Sequence, residues 1–110
     1  MTLTLELEDL RKTNEAALAE LGRSTEAQFD TQLAEIESFL LSVYRFAVLA
    51  VRGEREMERA AALWRETLDV IDRAASRAQT LAAQHPGAHA SLDRILEIRH
   101  AASEMLALYA

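Results

Sequence analysis

The sequence predicts an all-α protein, an antiparallel four-helix up-down bundle in a single domain over residues 1–110, with a long helix 2–helix 3 hairpin protruding from it. Three observations predict this. Alanine, leucine, glutamate and arginine dominate the composition, and all four favour helix. The strong breakers are few, Gly22, Gly53 and the Pro86-Gly87 pair, and they cut the chain into four helix-length segments. Within each segment apolar residues recur at alternating intervals of four and three, the period of packed helices rather than of strands.

The first segment, about Leu3 to Leu21, carries Leu3, Leu7, Leu10, Asn14, Ala17 and Leu21 on one seam. Leu3, Leu5 and Leu7 also alternate, as in a short strand, but the longer helical register outweighs them. Asn14 occupies a seam position where a lone asparagine often fixes register and partner number. Gly22 suits the left-handed position that follows many helices. Thr25-x-x-Gln28 then reads as a capping box opening the second helix.

The second segment, about Thr25 to Arg52, has Phe29, Leu33, Ile36, Leu40, Val43, Ala47 and Ala50 on its seam. Its second half is the most unusual stretch of the chain. Phe39–Val51 reads FLLSVYRFAVLAV, apolar on nearly every side around Arg45. A helix on the outside of a bundle needs one apolar stripe, and a helix apolar all round must be covered all round. Leu41, Val48 and Leu49 form this extra stripe. The run is 13 residues long, short of the roughly 20 that span a bilayer, and acids or arginine bound it.

The third segment, about Glu54 to Gln84, places Met57, Ala61, Trp64, Leu68, Ile71, Ala75, Ala78 and Ala82 on a seam, with a flanking row of Ala60, Thr67, Ala74 and Leu81. Arg65, Asp69, Arg73 and Arg77 form a ladder at four-residue spacing on its solvated face. The many alanines let neighbouring helices approach closely. The fourth segment, about Ala88 to Tyr109, carries Ile95, Ile98, Ala102, Met105 and Tyr109. Its start is open between Pro86 as first helical residue and a Ser91 cap.

The lengths do not match. Folded back from Gly22, the first helix begins opposite roughly Val43; folded back from Pro86, the fourth ends opposite roughly Leu63 or Trp64. A tip over residues 44–62 is left over, on the order of 13 Å long at ~1.5 Å per residue, with Gly53 at its apex. It holds Arg45, Arg52, Arg55 and Arg59 among Glu54, Glu56 and Glu58, whereas the remainder carries eight basic and fifteen acidic residues. Apolar residues with arginine on an acidic body have the composition of an interface. The expected surface is Leu41, Arg45, Phe46, Val48, Leu49 and Arg52. The expected partner is a second copy of the chain, a homodimer about a two-fold axis, or else another helical protein.

Net charge is −6, so no nucleic-acid or membrane partner is expected. With no cysteine, disulfide and thiolate chemistry are excluded. Met1–Leu10 carries three acids and no basic region of a signal peptide, and a cytoplasmic protein is expected. Eleven arginines against one lysine suggest a GC-rich, bacterial coding sequence.

Catalytic groupings are sparse. No Ser/His/Asp set, nucleophile elbow or phosphate-binding glycine loop is present, and no cofactor is expected. His85 and His89 are four apart, but Pro86 and Gly87 between them argue against a common helical face. Glu97-x-x-His100 has the carboxylate–imidazole spacing of di-iron carboxylate bundles, which need two such pairs and two further inward glutamates. Arg94-x5-His100 resembles, in spacing, the R-x4–6-H motif of HEPN-type helical ribonucleases, which are themselves dimers with the motif across the interface. Ile95 stands where that family commonly has a polar residue. The resemblance implies, as the alternative to a non-enzymatic adaptor, regulator or small chaperone-like module, a dimeric ribonuclease or nuclease regulator using Arg94 and His100. A lipid- or polymer-coating amphipathic protein is a third reading, which the acidic charge and near-absence of lysine discourage.

Overall fold

The computed structural model describes residues 3–109, with side chains from Glu8 onward. It contains four α-helices: α1 Leu3–Gly22, α2 Glu26–Arg52, α3 Met57–Ala82 and α4 Ala90–Tyr109. The Leu3-Leu5-Leu7 alternation is absorbed into α1. The side chains of Leu3 and Leu7 lie outside the described residues.

The helix ends follow local chemistry, and several differ from expectation. Gly22 stays helical; among the described residues only Gly87 has a positive φ, at 112°. Thr25 has the extended backbone of a cap (φ −74°, ψ 165°) and its carbonyl accepts the amides of Gln28 and Phe29 at 3.0 Å. Its side chain makes no capping hydrogen bond, so the capping box is present in backbone geometry alone. Gly53 is a turn, not a kink. Beyond it, Glu54 Oε1 accepts the amides of Arg55 (3.0 Å) and Glu56 (3.1 Å). These bonds hold both residues outside the helix and delay α3 to Met57. At the other end of α3, proline disfavours helical backbone in the residue before it, and α3 stops at Ala82, before His85-Pro86. The start of α4 falls between the two positions the sequence left open: the His89 carbonyl accepts the amides of Leu92 (3.1 Å) and Asp93 (3.3 Å).

The helices do not form a square. Each of α1 and α4 packs on both α2 and α3, α2 and α3 pack on each other, and α1 and α4 do not touch among the described residues. In a regular up-down bundle the first and last helices are neighbours. Here α2 and α3 form a central pair flanked on opposite sides, a flat arrangement in keeping with Cα extents of 46 × 26 × 17 Å. The cause lies in α3, whose two apolar rows give it twelve buried residues and whose alanines admit a helix on either side. Ala60, Leu63, Thr67, Val70, Ala74 and Leu81 make one row; Ala61, Trp64, Ile71, Ala75, Ala78 and Ala82 make the other.

The two flanks differ in quality. The α3–α4 contact is the most extensive in the fold, and Ile95, Ile98 and Ala102 are buried there. On the described part of α1, only Leu21 and Asn14 are buried. Asn14 Oδ1 and Arg11 Nε are both buried without a hydrogen-bond partner, as are Trp64 Nε1 and Thr67 Oγ1 on α3. Burying a polar group without a partner costs roughly 1–3 kcal/mol, so the described part of α1 is a thin apolar cover. In the centre of the fold the Tyr44 ring tilts against Trp64, with centroids 5.5 Å apart.

The tip is less exposed than the helix lengths suggested. Tyr109 lines a groove with Met57, Glu58, Ala61 and Arg65. The end of α4 thus lies beside the start of α3, beyond the expected Leu63–Trp64 level. Val51, Ala60, Ala61 and Leu63 are buried. No described helix is long and apolar enough to cross a membrane.

Candidate functional site

Among the described residues three large hydrophobic side chains are exposed: Leu49 (66 %), Met57 (59 %) and Leu108 (71 %). All three belong to one end of the molecule. Leu49 lies in the last turn of α2 and Met57 opens α3, four residues beyond Gly53. Leu108 precedes Tyr109, which shares its groove with Met57. The sequence pointed to Leu49. Met57 it placed on the core seam, and Leu108 beside the seam of the fourth helix. Met57 keeps its seam register but opens α3, before the first buried residues of that helix. Heptad spacing carries no sign of that.

The six residues expected at an interface divide into two sets. Leu41 and Val48 are half-buried and pack against the hydrophobic core. Phe46 is half-buried, and Arg45, Leu49 and Arg52 are exposed. The outward apolar stripe of α2 is therefore narrower than Leu41-Val48-Leu49. What remains outward is the line Ser38, Ser42, Arg45, Leu49 and Arg52. Around Leu49 and Met57 the charged groups are mixed. Arg59 pairs with Glu56 at 3.2 Å, while Arg45, Arg52 and Arg55 make no ion pair among the described residues.

The residues considered for catalysis stand apart. Arg94 Nε donates to Glu37 Oε2 at 2.9 Å, bridging α4 to α2, and its guanidinium also reaches Ser91 Oγ at 3.4 Å. The Arg94 hydrogen bond holds the Glu37 carboxyl below its ordinary range, against the opposing effect of burial. His100 is exposed and pairs along its own helix with Glu104. It lines two grooves, one with Arg65, Asp69, Asp72 and Arg99 and one with Asp93, Glu97 and Glu104; Arg94 lines neither. Six residues along a helix are 240° around it, so the two side chains diverge. Glu97 and His100 do share a face, but among the described residues no group of three or more histidine, aspartate or glutamate side chains is placed to hold a metal ion.

A cluster not anticipated from the sequence joins α2 to the α3–α4 connection. The His85 ring stacks on Phe29 (centroids 4.0 Å, planes 18° apart), and His89 meets the edge of the same ring at 5.2 Å. The two histidines share no helix, yet Phe29 gathers both. Nothing in their four-residue spacing reveals a phenylalanine more than fifty residues away.

Comparison of the chain with known protein families, curated proteins and solved structures yields no match.

Proposed function

We propose that this chain is a non-enzymatic interaction module, an adaptor, regulator or small chaperone-like protein of the cytoplasm, that self-associates as a homodimer through its α2–α3 end. The reading takes the helices as running up and down, with the α2–α3 turn as the protruding end. The observation that carries it is the gathering of Leu49, Met57 and Leu108 at that end, while the rest of the described surface exposes no other large hydrophobic side chain. Clustered exposed apolar groups rimmed by charge are the mark of a contact surface, whereas single ones are ordinary.

A second copy is the occupant the charges favour. Arg45, Arg52, Arg55 and Arg59 stand beside Glu54, Glu56 and Glu58, so the patch is its own electrostatic complement under a two-fold axis. A standard interface takes about 800 Å² from each partner, about an eighth of this chain's 6771 Å². Three apolar side chains do not fill that area. The aliphatic stems of the arginines and the half-buried Tyr109 supply the remainder.

The absence of cysteine allows a direct test. A single cysteine carrying a spin label is introduced at Arg55, in the turn, or at Arg23, near the opposite end of α2. Tip-to-tip pairing gives a short distance between labels at position 55. At position 23 it gives a separation on the order of 80 Å, twice the ~40 Å length of α2. A short distance at position 23, or none at position 55, overturns the proposal. A contact with another helical protein in its place would leave both labels without a partner.

A further inference from the structure

His89 closes the connection between α3 and α4, and its ring is held from both sides. Nδ1 lies 2.7 Å from Asp30 Oδ1 on α2, and Nε2 lies 2.9 Å from the His85 backbone carbonyl. Both partners are acceptors only, provided the aspartate is ionised. A neutral imidazole has one N–H and can satisfy one of them; only the imidazolium donates to both at once. The imidazole side chain is 10 % exposed, so water does not readily replace a lost partner, while Asp30 is 72 % exposed and keeps its charge solvated.

We propose that His89 is a proton-operated clamp: as imidazolium it ties the α3–α4 connection to the second turn of α2, and as neutral imidazole it releases one of its two bonds and loosens that connection. The bond to the His85 carbonyl and the bond to Asp30 raise the affinity of His89 for its proton, and burial works against them. Asp30 faces the ring from α2, and His85, stacked on the same Phe29, is the titratable neighbour within the α3–α4 connection. On its own helix, Asp93 lies in the first turn. One effect opposes the clamp. His89 sits at the N-terminus of α4, where the helix dipole disfavours a cation. Two charge-assisted hydrogen bonds, each roughly twice as strong as a neutral one, outweigh it.

The sign follows. A histidine whose folded-state pKa lies above its ordinary value of 6.5 stabilises the fold fully below pH 6.5, and the effect is lost as pH rises through the raised value. Through the clamp, the α3–α4 connection is tight in mildly acidic solution and loose in alkaline solution.

The test is imidazole 15N NMR from pH 5 to 9, with amide exchange of Leu92 and Asp93, whose N–H groups bond the His89 carbonyl. Both nitrogens of His89 remain protonated above the pH where an ordinary histidine is half neutral. Protection of the two amides, corrected for intrinsic exchange, falls at least about tenfold as His89 deprotonates. Asp30→Asn changes an exposed side chain, keeps the fold, and moves both transitions to lower pH by about one unit, a factor of ten in proton affinity. A neutral His89 at pH 6 overturns the proposal. So does amide protection that ignores the His89 titration, or a transition unmoved by Asp30→Asn.

Discussion

Arg94 on α4 donates a hydrogen bond to Glu37 on α2 at 2.9 Å, across 57 residues of sequence. The arginine that spacing offered as half of a nuclease motif is thus employed in joining two helices, and His100 points elsewhere. Arg94→Ala is expected to lower the melting temperature, whereas His100→Ala, at an exposed site, leaves it within a degree or two. Neither variant alters the recovery of total RNA after incubation at neutral pH relative to wild type. RNA cleavage by the wild type that disappears in both variants would restore the nuclease reading.

The same pair gives a pH dependence opposite in sign to that of His89. Arg94 holds the Glu37 carboxyl below its ordinary value of 4.5. Its stabilising effect is therefore complete above pH 4.5 and is lost as pH falls through the depressed value. In acid titrations followed by circular dichroism, Glu37→Gln removes part of the loss of stability below pH 4.5. An identical acid profile for the variant would show that the pair contributes nothing.

Thr67 is fully buried on α3 and its hydroxyl has no hydrogen-bond partner. An isosteric apolar residue relieves that cost, so Thr67→Val is expected to stabilise the fold by about 1 kcal/mol, a rise of several degrees in Tm for a domain of this size. A fall in Tm would mean that the hydroxyl is satisfied in solution.

Leu40 is fully buried at the centre of α2. Leu40→Ala deletes buried methyl groups and leaves a cavity, and is expected to cost about 2–5 kcal/mol. Leu49→Ala, at a side chain 66 % exposed, is expected to change monomer stability by less than about 0.5 kcal/mol. Denaturant unfolding of both variants separates the core face of α2 from its outer face. Equal losses would contradict this division.

The helices were legible in the sequence because each buried stripe repeats at helical spacing: Phe29, Leu33, Ile36, Leu40, Val43 and Ala47 are all on the seam and all buried. Helix ends were less legible. The Glu54 carboxylate that delays α3 competes with helix through a local side-chain bond, which composition does not reveal. The flat arrangement of the helices was written in the second alanine row of α3, but a row shows only that a face is covered, not by which helix. For the same reason Leu41 and Val48 looked outward in the sequence and pack inward in the fold. The His89 cluster left no sequence trace, since Asp30 and Phe29 meet it only through the packing of α2 beside α4.

Among the described residues Leu49 is the one large apolar side chain that α2 leaves exposed, and the solution mass of the Leu49→Asp variant beside wild type decides whether two chains pair there. The monomer mass is 12.3 kDa. By light scattering over a range of concentrations, wild type is expected at twice that mass. Leu49→Asp is expected at the monomer mass with unchanged helical circular dichroism, because the substituted position is exposed. A wild-type monomer at every concentration, or a folded Leu49→Asp variant that keeps the dimer mass, would contradict the account.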